Sequence, residues 1–272
     1  MADGVRVTSL HRYPVKACAG EPLDVVEVRV DGLRHDRGLA VVGDGVVLTQ
    51  REHPVLARVR PVLDDATARL TLSYDGRDPV DALVDTSGRT RDVRLFGETV
   101  AVVDQAPELS AWFGSLLGRT VQLVGAPAAT RRTSPGAARG QTVLSDEGTV
   151  SLHSEASLER LNELLAAGGE PRLPADRFRA NVVVGGCPAH AEDEASTIRA
   201  GDVTLAFARL DERCAVTTVD QRTGERRGPE PLRTLATYRR LDGAGVAFGV
   251  YAAVTVPGTL RLGDPVVLHR RS

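Results

Sequence analysis

Short runs rich in Val, Leu and Thr, separated by Gly, Pro and Asp, dominate the chain. Stretches 5–11, 23–30, 39–42, 46–49, 70–73 and 99–103 have this character, and the pattern predicts a strand for each. The C-terminal end repeats it at 246–256, 259–262 and 265–269, with Pro257-Gly258 and Gly263-Asp264 placed as turns. Three segments follow helical spacing instead. After Pro107, residues Leu109, Trp112, Phe113, Leu116 and Leu117 fall on one face, and Gly118 is placed to end the helix. Ser154 can cap a second helix, whose Leu158, Leu161 and Leu165 share a side before Gly168-Gly169. A third begins near Pro231 and carries Leu232, Leu235 and Ala236. All three stripes read as core-packing faces. Many short strands with few helices predict a mixed, β-rich α+β fold.

The tract 126–141 clusters Ala, Pro, Gly, Ser and Thr around Arg131, Arg132 and Arg139, and is expected to be a loop or linker of low order. It divides the chain into 1–125 and 142–272. No internal repeat, P-loop, H-E-x-x-H or G-x-S-x-G occurs, and no G-x-G-x-x-G follows a strand. With 42% apolar residues in 272, the chain can build one large core or two small ones. Its 34 basic and 36 acidic residues leave no basic excess, so no nucleic-acid partner is expected. No apolar run reaches the roughly 18 residues of a membrane helix. The first residues have neither secretory nor transit-peptide character, so the expectation is a cytoplasmic protein with no membrane partner. Three widely spaced cysteines, Cys18, Cys187 and Cys214, argue against a disulfide framework and cannot alone ligate an all-cysteine iron–sulfur cluster. Electrons for any redox chemistry must then come from elsewhere.

Four clusters could carry chemistry. They are Tyr13-Pro14-Val15-Lys16-Ala17-Cys18-Ala19-Gly20, Arg34-His35-Asp36-Arg37-Gly38, Arg177-Phe178-Arg179-Ala180-Asn181, and the run from Asp211 through Arg213-Cys214 to Asp220. Lys16 is the single lysine in an arginine-rich sequence, and a compact ammonium does a different job from a planar guanidinium. Taken singly, Arg37 and Arg179 read as surface charges, and Cys214 as a small buried apolar residue. A cation beside a cysteine favours the thiolate, the form that ligates metals. Two Arg, one Lys and an Asn brought around Cys214 would form a pocket for an anionic cofactor.

The segments Tyr13-Pro14-Val15-Lys16, Phe178-Arg179-Ala180-Asn181-Val182 and Arg213-Cys214-Ala215-Val216-Thr217-Thr218-Val219-Asp220 with Thr223-Gly224 resemble the MOSC-domain proteins. The similarity is to the branch of the amidoxime-reducing components and their bacterial relatives. Ser154-Glu155-Ala156-Ser157-Leu158, Phe248-Gly249-Val250-Tyr251 and Gly263-Asp264-Pro265-Val266 extend it in order along almost the whole chain. The resemblance implies a C-terminal MOSC β-barrel with a smaller β-rich N-terminal domain, whose first strands can join that barrel, and a few short helices. It implies a molybdenum cofactor (Mo-molybdopterin) with Cys214 as metal ligand and catalytic centre. Lys16, Ala17, Arg37, Asp146, Arg179, Asn181, Arg213 and Tyr251 would contact the cofactor, Lys16 as an exposed cation. Pyridoxal phosphate binding is not expected. Ala17 replaces a serine common in relatives, which leaves only its backbone N–H. Neither the ferredoxin domain of some bacterial relatives, with its cysteines, nor a membrane anchor is expected. An external donor (a ferredoxin, a cytochrome b5-type protein or a flavin reductase) is therefore expected to supply electrons. The implied activity is an oxidoreductase that reduces small N-hydroxylated compounds such as amidoximes and hydroxylamines. The alternative is a cofactor-binding or sulfur-carrier protein without turnover.

Overall fold

A computed structural model describes residues 4–128, 130–145, 148–243 and 245–271. Its largest sheet has eight strands, in the order Glu21–Pro22, Arg6–Arg12, Val182–Gly185, Val150–Ser154, Val246–Val256, Val203–Arg213, Ala195–Ala200 and Val266–Arg270. Val150–Ser154 and Val182–Gly185 run parallel, joined through the helix Glu155–Ala167. Every residue of both strands is buried, as a parallel pair covered on both faces requires. Their side chains pack with Leu10, Ile198, Leu205 and Val250 into one core.

A second, closed barrel lies earlier in the chain. It is made by Thr90–Leu95, Glu98–Asp104, Gln122–Gly125, Leu39–Gly43 and Val46–Val47, around Ala40, Val42, Val93, Leu95, Val102 and Val124. A three-stranded sheet, Arg60–Leu63, Arg69–Tyr74 and Arg77–Leu83, packs beside it with the helix Pro107–Leu117 through Leu70, Leu72, Leu109 and Phe113. That helix begins at its proline and ends on Gly118 in the left-handed conformation (φ 65°), a position glycine adopts without strain. Ser154 caps Glu155–Ala167 by accepting from the Ser157 N–H, and Leu232–Tyr238 follows Pro231. The tract 126–141, expected as a loop or linker of low order, instead holds most of a small hairpin in which Arg132–Ser134 pairs with Gly140–Thr142.

Two strand pairings stitch the early and late parts of the chain together. Arg6–Arg12 hydrogen-bonds to Val182–Gly185, and Gly258–Arg261 to Val25–Arg29. At the end of the first of these strands lies Arg12, 2% exposed. Its guanidinium donates to Glu21 (3.0 Å), to Asp65 (2.7 Å) and to the Leu63 carbonyl (2.7 Å). A buried charge satisfied this way strands its partners when removed. Arg12→Ala is therefore expected to cost about 3–5 kcal/mol in urea denaturation, against under about 0.5 kcal/mol for exposed Arg29→Ala. Equal losses would contradict the account.

His153, fully buried on the strand Val150–Ser154, packs against Phe248 (5.2 Å between ring centres) and Phe178 (6.0 Å). Burial drops its pKa from 6.5 to about 4. Between those values the unfolded chain binds a proton that the folded chain refuses, so stability falls as pH drops from 6.5 towards 4. In His153→Gln that part of the slope should disappear when stability is compared at pH 7 and pH 4.5. An unchanged slope would remove His153 from the acid response.

Candidate functional site

A cavity of about 520 Å³ opens where the two parts of the chain meet, within the size range of small-molecule and cofactor sites. Lys16, Ala17, Arg37, Arg179, Arg213, Cys214 and Tyr251 all line it. Residues far apart in sequence are thus brought to one surface. Asn181 lies behind the wall, and Asp146 falls outside the described residues.

Lys16 and Ala17 sit on the loop after Arg6–Arg12. The Lys16 N–H bonds the Leu39 carbonyl (2.8 Å), Gln50 donates to the Ala17 carbonyl (2.6 Å), and Ala17 itself takes a positive φ of 68°. Lys16 is only 6% exposed, which corrects its reading as an exposed contact: the loop folds it inward, with its ammonium 4.9 Å from the Phe96 ring centre. Arg37 (φ 48°) and Arg179 (φ 52°) are also held in the left-handed region, where a non-glycine backbone is strained. The guanidinium of Arg37 donates to Asp36, to the Arg179 carbonyl (2.9 Å) and to Asn181 Oδ1 (3.3 Å). Both guanidiniums stack on the Tyr13 ring, at 4.6 Å and 4.4 Å, and the Tyr13 hydroxyl bonds the Ala180 carbonyl. They are not ordinary surface charges.

Asn181, 1% exposed, accepts from the Ser151 N–H (3.1 Å) as well as from Arg37 and donates to the His11 carbonyl (3.2 Å). Its amide joins three segments and aims Arg37, so its place is that of a positioning residue. Arg213, at the end of the strand Val203–Arg213, donates to the Phe248 carbonyl (2.7 and 2.8 Å) and the Phe178 carbonyl (2.9 Å) and pairs with Asp211 at 2.8 Å. Cys214 follows directly, half-buried, its carbonyl held by Thr217 through both N–H and hydroxyl. Tyr251 also lines the cavity. Burial first, then the nearby Asp211, keeps its hydroxyl protonated far above the usual range. Any Cβ on Gly148 would collide with the Tyr251 ring, which explains a glycine in that approach.

The cavity's electrostatics point one way. Lys16 holds its proton far less tightly than an ordinary lysine, through burial first and then the positive charges of Arg37, Arg179, Arg132 and Arg51. The buried Nε of Arg177 and Oγ of Ser134, both on the wall, have no hydrogen-bond partner among the described residues. Donors and cations crowded around a half-buried thiol suit a ligand that brings negative charge, hydrogen-bond acceptors and a thiophilic metal. An anionic, sulfur-ligated molybdenum cofactor has those properties, and the residues fit it.

Several wall residues escaped the sequence reading. Thr49, Gln50, Arg51, Phe96 and Glu98 come from the small barrel, Arg132 to Pro135 from the hairpin, and Ser151 and Asp211 from the large sheet. Asp211 and Arg132 lay in segments the sequence marked without being singled out there, and Gln50, buried in the structure, carries no sequence signal beyond following a predicted strand.

Comparison with known proteins agrees with this architecture. Residues 4–120 match the MOSC N-terminal beta barrel domain, and residues 139–267 match the MOSC domain. The chain is 32% identical over 281 residues to mitochondrial amidoxime-reducing component 1 of Homo sapiens, covering 96% of this chain and 82% of that protein. It is 33% identical over 283 residues to mitochondrial amidoxime reducing component 2 of Bos taurus, with the same coverage. It is also 29% identical over 268 residues to a molybdenum cofactor sulfurase of Oryza sativa subsp. japonica, covering 90% of this chain but 32% of that much longer protein. With both domains matched and these identities spanning nearly its full length, the chain belongs to the MOSC-domain family that includes the mitochondrial amidoxime-reducing components.

Proposed function

We propose that this protein is a molybdenum cofactor-dependent oxidoreductase that reduces small N-hydroxylated compounds with electrons from a separate redox partner. The observation that carries the proposal is the meeting of Lys16, Arg37, Arg179 and Arg213 around the half-buried thiol of Cys214 in one cavity. Lys16, Arg37, Arg179 and Arg213 would hold the anionic cofactor, and Cys214 would give its sulfur to the metal. Ala17 offers only its backbone. When bound, the cofactor supplies a two-electron reduction that removes oxygen from nitrogen. An N–OH group, two electrons and two protons become an N–H group and water.

The chain's own residues do the rest. Asp36, Asn181 and the Tyr13 ring fix Arg37, and two backbone carbonyls with Asp211 fix Arg213, so the cationic wall needs little rearrangement when a ligand arrives. The Tyr251 hydroxyl remains a hydrogen-bond donor at every working pH. Cys18, by contrast, is fully buried in the apolar core beside Val15, and its thiol is pushed up to about 12. It has no access to a ligand.

The similarity to a molybdenum cofactor sulfurase supports a second reading, in which the chain carries the cofactor without turnover. Elemental analysis with pterin fluorescence on purified protein tests what the two readings share: one molybdenum and one pterin per chain are expected. Benzamidoxime reduction by chemically reduced protein then separates them, since a carrier gives no benzamidine.

Cys214→Ser replaces a soft thiolate with a hard, poorly ionised hydroxyl. Reductase activity should fall to background while pterin content stays near that of the parent. Cys18→Ser and Cys187→Ser should stay within a few-fold of full activity. Full activity in Cys214→Ser, with loss in either other variant, would place the metal elsewhere. Lys16→Ala removes one charge-assisted contact and should weaken cofactor retention about tenfold, read as pterin per folded chain. Unchanged pterin content would deny Lys16 that role.

A further inference from the structure

Away from the cavity, five buried polar atoms with no hydrogen-bond partner among the described residues come together in one place. They are both ring nitrogens of His190, Oε2 of Glu192, Oδ1 of Asp193 and the Tyr238 hydroxyl. Ligand atoms of His190, Glu192 and Asp193 all lie within 4.8 Å of one another. None of these residues lines the cofactor cavity.

Glu192 is the most constrained of the three. It is fully buried, and its Oε1 accepts from the Ser154 N–H (3.1 Å) and the Ser157 hydroxyl (2.6 Å). Those bonds anchor the carboxylate and leave Oε2 shielded from water and unpaired. Leaving such an oxygen unsatisfied costs on the order of 1–3 kcal/mol, so folded proteins rarely tolerate it without a partner. Arg239 pairs with the other oxygen of Asp193 at 2.5 Å, and Arg271 donates to the Asp193 carbonyl. Among the described residues nothing bonds Oε2 of Glu192 or Oδ1 of Asp193, at a point where imidazole and carboxylate ligand atoms are already close.

We propose that His190, Glu192 and Asp193 bind a divalent transition-metal ion of the zinc type, at a site separate from the cofactor. One imidazole with two carboxylates is a borderline donor set, suited to zinc and poor for magnesium, which prefers oxygen and retained water. Zinc bonds to nitrogen and oxygen are about 2.0–2.2 Å, so small side-chain rotations bring the three ligand atoms onto one ion. The role is structural. The ligands sit on the turn and short helix Ala191–Glu194, between the capped start of Glu155–Ala167 and the end of Leu232–Tyr238. An ion there would pin that turn against the helix cap and so fix the strand Ala195–Ala200 that follows.

The test is zinc titration by calorimetry, on the full-length chain carrying Cys214→Ser and dialysed against a chelator, so that the cavity thiol cannot take the metal. One equivalent should bind with micromolar or tighter affinity, and saturating zinc should raise the melting temperature. His190→Ala, at a partly buried side chain whose ring nitrogens make no hydrogen bond among the described residues, should fold normally, lose at least tenfold in affinity and lose the melting shift. Asp193→Asn should do the same. Absence of saturable one-equivalent binding would overturn the proposal and leave a buried water as the occupant. Undiminished binding in His190→Ala would overturn it equally.

Discussion

Like charges gathered in a poorly hydrated wall repel one another, and the architecture of this protein is organised around offsetting that repulsion. Arg37 has Asp36 at its guanidinium, Arg213 has Asp211, and Arg37 and Arg179 both stack on the Tyr13 ring. Backbone carbonyls of Arg179, Phe178 and Phe248 take up further donors. What these contacts do not offset is felt by Lys16, whose proton is held loosely because burial and four arginines oppose it. In the proposed reading, an anionic cofactor would add negative charge to this wall. The strained backbones of Ala17, Arg37 and Arg179 are part of the same arrangement, since each turns a chain segment towards the cavity.

Such a wall can be built only if distant segments are held rigidly together. Arg6–Arg12 is early in sequence yet paired within the large sheet, which delivers the Lys16 loop to the end of Val203–Arg213 where Cys214 begins. Asn181 ties that loop's base to Ser151 and to Arg37. A reciprocal amide pair between Gln50 and Gln221 bridges the small barrel to the turn beyond Cys214. Arg12 and its three acceptors tie the end of Arg6–Arg12 to Glu21 and to the end of Arg60–Leu63. The site is a property of this junction rather than of either part.

Much of this was legible in the sequence where local rules decide. Pro107 and Gly118 bound one helix and Ser154 caps another because proline, glycine and serine act through their own backbone and side chain. The strand Val203–Arg213 was not legible. It carries register shifts against Val246–Val256, and its buried positions fall at irregular intervals instead of alternating. The motif residues marked Lys16, Arg37, Arg179, Arg213, Cys214 and Tyr251, and these do meet. Asn181 reads the same in sequence whether it touches a ligand or holds an arginine; only its three hydrogen bonds decide. Phe96, Glu98 and Arg132 reach the cavity from a hairpin turn and a polar tract whose composition says only that they are exposed.

The central claim is that Cys214 presents its sulfur to a metal held in this cationic cavity. Molybdenum K-edge X-ray absorption on the purified protein, compared with Cys214→Ser at equal metal content, tests it directly. The account predicts one fewer sulfur neighbour around molybdenum in the variant, with an oxygen neighbour in its place. An identical sulfur count in the two proteins would contradict it.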